Sequence, residues 1–145
     1  MLRRELWNQL TELMMSLVIF TMIAVASMLS TRTQVESSVS VDEVYRKLRS
    51  GEKIVLLDVR TPQEFSGETG HVEGAILLPI QDLTMRIEEL RSFEDSTIVV
   101  YCRTDNRSRM AVSILEQSGF SAVRMKGGIT AWRAEELPVV LEESK

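Results

Sequence analysis

The segment Cys102-Arg103-Thr104-Asp105-Asn106-Arg107-Ser108 is the part of the chain best suited to chemistry. Cys102 is the only cysteine among 145 residues, so an intramolecular disulfide is excluded. Because the chain also has a single histidine, it offers no Cys/His set for zinc, and we expect neither a metal nor a cofactor. Cys102 therefore acts alone, either as a catalytic nucleophile or as a small buried hydrophobic residue without a chemical role.

The position of Cys102 between a strand and a helix favours the catalytic interpretation. Thr97–Tyr101 is a short apolar run typical of a buried strand, and apolar residues recur at helical spacing beyond Ser108 until Gly119. The free amides of a helix start carry partial positive charge, which favours a thiolate over a thiol. We therefore predict an anion cradle around Cys102. The residues predicted to bind substrate are Arg103, Thr104, Asp105, Asn106, Arg107 and Ser108.

The elements around this loop alternate between strands and helices. The predicted strands are Lys53–Val59, Ala75–Leu78, Thr97–Tyr101 and Ala122–Met125. A helix is predicted to begin after Ser40, which is spaced from Glu43 as in a capping box, and to end at Gly51. Such alternation is typical of an α/β fold with a parallel sheet and helices on both faces. Ligands of these sheets bind beyond the carboxyl ends of the strands, where Cys102 lies.

Four motifs resemble the rhodanese family, and they occur in the family's order. They are Leu57-Asp58-Val59-Arg60-Thr61-Pro62-Gln63-Glu64-Phe65, Gly70-His71-Val72-Glu73-Gly74-Ala75, the Cys102 loop, and Gly127-Gly128-Ile129-Thr130-Ala131-Trp132. The resemblance covers residues 39 to 138 and implies a rhodanese-like fold. It also implies sulfur transfer, in which Cys102 takes sulfur from a donor such as thiosulfate, holds it as a persulfide and passes it to a thiol or cyanide. A protein could also serve as the sulfur acceptor.

The length of the loop separates sulfur transfer from related chemistry. Related phosphatase and arsenate-reductase domains place five residues between the cysteine and the arginine, whereas four residues separate Cys102 from Arg107. The smaller cradle suits a persulfide, so phosphate or arsenate chemistry is the weaker alternative.

The resemblance implies supporting roles for residues outside the loop. Asp58 and Arg60 are implied to brace the loop through hydrogen bonds, and the alternative is a surface salt bridge that contributes little. His71 is expected to be a hydrogen-bonded structural residue rather than a catalytic base. Trp132 is expected to pack the last helix against the sheet.

Asp105 occupies a position where rhodaneses commonly carry glycine, which accepts a positive φ without strain. Its negative charge opposes an anionic donor, but Arg103, Arg107 and the helix start outnumber it. We expect the carboxylate to face solvent rather than the cradle, and anion binding to survive with a weakened preference for thiosulfate. The alternative function is a non-catalytic rhodanese-like module that binds an anion or a protein and regulates at the membrane.

Residues 13–29 are apolar and uncharged except for three residues with hydroxyl groups. The segment is intermediate between a signal-peptide core of about 7–15 residues and a membrane span of about 20. Because Arg3 and Arg4 precede it, we expect the folded domain to be exported. The segment is predicted to be a transmembrane anchor, with the domain extracytoplasmic, or a signal peptide cleaved near Ala26, with the domain secreted or periplasmic.

The chain is thus predicted to have three parts. Residues 1–30 form the anchor or signal peptide, residues 31–38 form a tether rich in Ser and Thr, and residues 39–140 form the rhodanese-like domain. The net charge is -4, and acidic residues are mixed with basic ones along most of the chain. Because nucleic-acid binders usually present a basic stripe, we do not expect nucleic acid as a partner.

Overall fold

The computed structural model describes the backbone of residues 2–29 and 38–141, and within the first range it describes the side chains of Arg4 and residues 6–22. The chain divides into two compact units, Met1–Val35 and Glu36–Lys145. The described part of the first unit is one helix, α1 (Leu2–Leu29), so the predicted N-terminal helix is present.

The described residues do not support a membrane span in α1. No helix among them combines the length and the apolar character that crossing a bilayer requires. Described apolar side chains of this helix are exposed, including Trp7 and Phe20. The side chain of Ala26, at the predicted cleavage site, lies outside the described residues, as do residues 31–37 of the predicted tether.

The second unit contains a parallel sheet, as the sequence predicts. Its described strands are β1 (Ser38–Val39), β2 (Ile54–Asp58), β3 (Ile76–Leu77), β4 (Thr97–Tyr101) and β5 (Ser121–Met125). They are ordered β1-β5-β4-β2-β3, and every pairing is parallel. The sequence did not predict β1, because two residues are too few to show alternation. Pairing with β5 forms it, and Val39 lies opposite Met125.

Helices connect these strands. They are α2 (Val41–Ser50), α3 (Pro62–Phe65), α4 (Ile80–Arg86), a 3-10 helix (Ile87–Phe93), α5 (Asn106–Gln117) and α6 (Gly128–Ala134). Ser40 caps α2, because its hydroxyl accepts a hydrogen bond from the Glu43 amide at 3.2 Å. Gly51 ends the same helix in the left-handed conformation, with φ 73°. Both predicted boundaries of α2 are therefore confirmed.

Side chains of β4 alternate between two hydrophobic clusters, which places the clusters on opposite faces of the sheet. The first cluster contains Ile98 and Val100, and the second contains Val99 and Tyr101. The helical residues buried in the first include Leu83 of α4, Leu90 of the 3-10 helix and Leu115 of α5, and those in the second include Val44 of α2 and Trp132 of α6. The prediction of helices on both faces is thus confirmed.

Trp132 has the packing role expected from the sequence. Its side chain is buried, and its indole Nε1 donates to the Pro138 carbonyl at 2.9 Å. Its ring meets the ring of Tyr45 edge to face at 5.9 Å between centroids. Through this contact Trp132 joins α6 to α2, and α6 is the helix that contacts the Cys102 loop.

Candidate active site

Cys102 lies at the carboxyl end of β4, directly before the loop that leads into α5. Its side chain is buried, and its Sγ lies 3.8 Å from the Ser108 hydroxyl oxygen. Ser108 is in the first turn of α5, is also fully buried, and donates to the Asp105 carbonyl at 3.0 Å. The structure therefore brings the candidate nucleophile onto the start of a helix.

The loop carbonyls are held from the side of α6. The Ile129 amide donates to the Cys102 carbonyl at 2.9 Å, and the Thr130 amide donates to the Arg103 carbonyl at 3.1 Å. The Thr130 hydroxyl adds a bond of 2.8 Å to the same Arg103 carbonyl. In a trans peptide the next amide points opposite to the carbonyl, so the amides of Arg103 and Thr104 point away from α6.

These loop amides are available to a ligand. Among the backbone hydrogen bonds of residues 38–141, none has the amide of Arg103, Thr104 or Asp105 as its donor. Amides that converge at a helix start favour an anion. This arrangement suits a thiolate or the sulfur that it carries.

Arg107 is bound to Glu64 rather than to the loop. The two side chains form a double hydrogen bond, with N–O distances of 2.6 and 2.7 Å. These bonds lower the pKa of Glu64 to about 2, although partial burial of the carboxyl opposes the shift. The charge of Arg107 is therefore paired with that of Glu64, but Arg107 also interacts electrostatically with Cys102, so its contribution to anion binding in the cradle stays a prediction.

Glu64 is itself held by a capping box at the start of α3. Its carboxylate accepts from the Thr61 amide at 3.1 Å, and the Thr61 hydroxyl accepts from the Glu64 amide at 3.3 Å. Pro62 occupies the first turn, where a missing amide proton has no cost. A short helix thus presents Glu64 to Arg107 in a fixed orientation.

Asp58 and Arg60 form a buried ion pair, not a surface one. Their side chains are 0% and 1% exposed, and the Arg60 guanidinium lies 2.6 Å from the Asp58 carboxylate. Arg60 also donates to the carbonyls of Gly70 and Glu64, at 2.7 and 3.2 Å. Neither of these two side chains forms a hydrogen bond to residues 102–108. Arg60 reaches the loop through Glu64 and its partner Arg107.

The side chain of Asp105 is 32% exposed, and its carboxylate is paired rather than free in solvent. Its carboxylate accepts hydrogen bonds from the Arg124 guanidinium and from the Gly127 amide, the latter at 3.0 Å. Its φ is -137°, so the backbone here does not need the positive φ that favours glycine. The charge of Asp105 is therefore paired on the side of α6.

The remaining loop residues have open surroundings. Arg103, Thr104 and Asn106 are exposed, whereas Asp105 and Arg107 are half-buried. Cys102 and Ser108 are the two buried side chains of the predicted loop. The structure thus places the sulfur at the bottom of the loop, with polar side chains around its rim.

His71 has the structural role expected of it. Its Nδ1 lies 3.2 Å from the Phe65 carbonyl oxygen, and its ring stacks on the Phe65 ring at 3.7 Å between centroids. Its backbone exchanges two hydrogen bonds with Val140, at 3.0 and 2.8 Å. These contacts fix the segment before β3.

Three residues that the sequence reasoning missed contact the loop: Glu64, Arg124 and Thr130. Thr61-Pro62-Gln63-Glu64 has the spacing of a capping box, which could have revealed the fixed position of Glu64. A basic residue near the end of a predicted apolar strand was the signal for Arg124. Within the described residues, no group of three His, Cys, Asp or Glu side chains is placed to hold a metal ion.

Comparison with known proteins gives one family. The Rhodanese-like domain family matches residues 40–135. A sulfurtransferase of Allochromatium vinosum is 34% identical over 103 residues, which are 70% of this chain and 92% of that protein. The thiosulfate sulfurtransferase PspE of Escherichia coli is 34% identical over 73 residues, covering 50% of this chain and 68% of that protein.

A solved structure is similar over the same region. The rhodanese-related protein of Thermoplasma volcanium superimposes with a TM-score of 0.66 at 34% sequence identity. The match covers 73% of this chain and 99% of that chain.

Proposed function

Because the chain belongs to the rhodanese-like domain family, we propose that it is a sulfurtransferase that carries sulfane sulfur as a persulfide on Cys102. The observation that carries the proposal is the position of the Cys102 sulfur. It lies at the end of β4 beside Ser108, in a loop whose Arg103 and Thr104 amides point away from α6. The similarity to sulfurtransferases supports the same reaction class.

The proposed reaction has two displacements at sulfur. The Cys102 thiolate attacks the outer sulfur of thiosulfate, so a new S–S bond forms while the S–S bond of thiosulfate breaks. Sulfite leaves with the electron pair, and the outer sulfur remains as a Cys102 persulfide. A thiolate or cyanide then attacks that terminal sulfur, forms a persulfide or thiocyanate, and restores the Cys102 thiolate. No net oxidation or reduction is needed beyond moving one sulfane sulfur.

The residues around Cys102 have separate parts in this proposal. The amides of Arg103 and Thr104 and the start of α5 stabilise the negative charge on the terminal sulfur. When Cys102 loses its proton, the Ser108 hydroxyl turns its single proton from the Asp105 carbonyl to the thiolate, instead of accepting from the thiol. Asp58, Arg60 and Glu64 hold Arg107 and the loop in place without contacting the reacting sulfur.

The intact mass of the protein tests this proposal. After incubation with thiosulfate, the wild-type chain should gain one sulfur atom, and cyanide should remove it as thiocyanate. The Cys102→Ser variant is the matched control, because it retains the fold and the loop but should gain no sulfur. If neither thiosulfate nor another sulfane donor labels the wild-type chain, the proposal fails.

A second candidate function is a binding module without turnover, and a specific observation favours it. Arg107 and Asp105 are both held in ion pairs with residues outside the loop. A loop whose charges are already compensated can hold an anion or a protein segment through its amides alone. Cys102→Ser separates the two functions, because full activity of this variant in cells would exclude persulfide chemistry while leaving binding intact.

The location of the domain remains a prediction from the sequence. Arg3 and Arg4 before the apolar segment favour export, either with the segment retained or with cleavage near Ala26. Cell fractionation followed by N-terminal mass spectrometry tests this. A full-length chain in the cytosolic fraction would overturn it.

A further inference from the structure

An acidic side chain in an anion-binding loop requires a physical explanation. Asp105 lies three positions after Cys102, and an uncompensated carboxylate there would repel both a thiolate and an anionic donor. We propose that Arg124 is a positioning residue for the sulfur site, which holds the Asp105 carboxylate on the α6 side of the loop and so permits an anionic sulfur donor. This inference rests on the proposed sulfurtransferase function.

Arg124 is well placed and well supported for this role. It lies near the carboxyl end of β5, where its backbone pairs with Val100 of β4 on one side and Ser38 of β1 on the other. Its side chain is only 7% exposed, so the guanidinium has little freedom to leave the loop. A rigid strand thus delivers a buried cation to the Asp105 carboxylate.

The turn after β5 supplies the second half of the arrangement. The Gly127 amide donates to the same Asp105 oxygen that Arg124 binds. The next residues, Ile129 and Thr130, bind the loop carbonyls. Because Gly127 directly precedes α6, its amide holds the carboxylate on the side from which the Arg103 and Thr104 amides point away.

The consequence is a division of charge across the loop. The Asp105 charge is paired with Arg124 on one side, and the start of α5 faces the Cys102 sulfur on the other. The pair therefore determines how strongly the site discriminates between anionic and neutral reagents. A neutral residue in place of Arg124 should weaken the binding of anions, and a neutral residue in place of Asp105 should strengthen it.

The single cysteine gives a direct test on the full-length chain. Cys102 is alkylated in parallel with iodoacetate, which is anionic, and iodoacetamide, which is neutral and similar in size. The ratio of the two rates cancels any change in thiolate fraction or accessibility. For Arg124→Met we expect the iodoacetate to iodoacetamide ratio to fall about two- to fivefold, as for one unit charge several ångströms away at a high effective dielectric.

Two further variants make the test specific. Asp105→Asn should raise the ratio by a similar factor, because one negative charge beside the sulfur is removed. The double variant Asp105→Asn with Arg124→Met should have a ratio close to the wild-type value. Arg124→Lys keeps the positive charge, so its ratio should also stay close to that of the wild type. An unchanged ratio in both single variants, or an equal loss of both rates, overturns the inference. Should Arg124→Met fail to fold, Asp105→Asn alone decides, because an unchanged ratio there also overturns it.

The alkylation ratio does not depend on sulfur transfer, so it separates this inference from the proposed function. If the wild-type chain takes no sulfur from any donor, the function fails while the ratio still reports on Arg124. If sulfur transfer occurs, Arg124→Met should raise the KM for thiosulfate more than it lowers kcat. Arg86→Met is the matched control, since Arg86 forms an exposed ion pair with Glu89 at the far end of α4 and should change neither readout.

Discussion

The Cys102 loop is held on its two sides by different kinds of contact. On the Arg60 side, formed by residues 58–70, the direct contact is the ion pair of Glu64 with Arg107, and the buried ion pair of Asp58 with Arg60 lies behind it. On the Gly128 side, formed by residues 124–130, most contacts are donated by backbone amides, and Asp105–Arg124 is the ion pair. Side-chain charge therefore secures one side, and close backbone packing secures the other.

This difference predicts different failures. A charge removed from the Arg60 side leaves a buried partner without compensation, which lowers the free energy of unfolding. A backbone displaced on the Gly128 side rotates the peptide planes that aim the loop amides, which lowers activity with less effect on stability. Variants on the two sides should thus separate stability from sulfur transfer.

The largest effect on stability is expected from Arg60→Met. This change leaves Asp58 buried without its cation and removes the bonds from Arg60 to the Gly70 and Glu64 carbonyls. Losing one partner of a buried pair costs about 3–5 kcal/mol of unfolding free energy. Urea unfolding measures it, with Arg86→Met as a control that breaks an exposed pair and should cost at most about 1 kcal/mol. Equal losses in the two variants would contradict the assignment of stability to the Arg60 side.

Gly128→Ala should have the larger effect on sulfur transfer. A Cβ at Gly128 would lie 2.3 Å from the Cys102 carbonyl oxygen and 2.6 Å from that of Thr104, so the loop must move. Gly74→Ala is the matched control, because Gly74 also has a positive φ, 77°, but open space around the new Cβ. Backbone strain of about 1–2 kcal/mol is common to both variants. We expect the rate of persulfide formation to fall more than tenfold in Gly128→Ala alone, and a similar rate in both would contradict the role of this contact.

A smaller, pH-dependent effect is expected from Glu64→Gln, which removes the charge that pairs with Arg107. The pKa of Glu64 is lowered from 4.5 to about 2 in the folded chain, so its contribution to stability is fully present above about pH 5. The contribution is lost as the pH falls toward 2, because the folded carboxylate then also takes up its proton. Urea unfolding at several pH values should show the wild type about 1 kcal/mol more stable than Glu64→Gln near neutral pH. That difference should vanish near pH 2, and a difference independent of pH would contradict the pairing.

The fold was largely predictable from the sequence, because hydrophobic patterns reflect burial in the sheet. The continuous apolar runs of β2 and β4 and the caps at Ser40 and Gly51 are local signals, and all are present in the structure. β1 was not predictable, since its two residues become a strand only through pairing with β5. Local patterns thus predict the elements whose formation depends on residues close in sequence, and not those that form only through pairing with a distant strand.

The position of the site could be predicted from the sequence, but the ion pairs of its charged residues could not. Cys102 beside a helix start follows from the order of strand, loop and helix, and the structure shows that placement. The partners of Arg107 and Asp105 lie 43 and 19 positions away in sequence, so no local pattern links them. Because Glu64 and Arg124 carry opposite charges, they leave the net charge around the loop unchanged, but they determine which loop charges are paired, and the sequence did not show that pairing.

The smallest expected effect concerns the Thr130 hydroxyl, which supplements a backbone bond on the Gly128 side. Thr130→Val removes the 2.8 Å bond to the Arg103 carbonyl but leaves the 3.1 Å bond from the Thr130 amide. Because the amide still orients the peptide plane, we expect a loss of about 0.5 kcal/mol in unfolding free energy and less than a threefold change in persulfide formation. Thr84→Val in α4 is the control, since it makes the same substitution at an exposed helical position. A loss of activity as large as that of Gly128→Ala would show that the side chain, and not the backbone, holds this side of the loop.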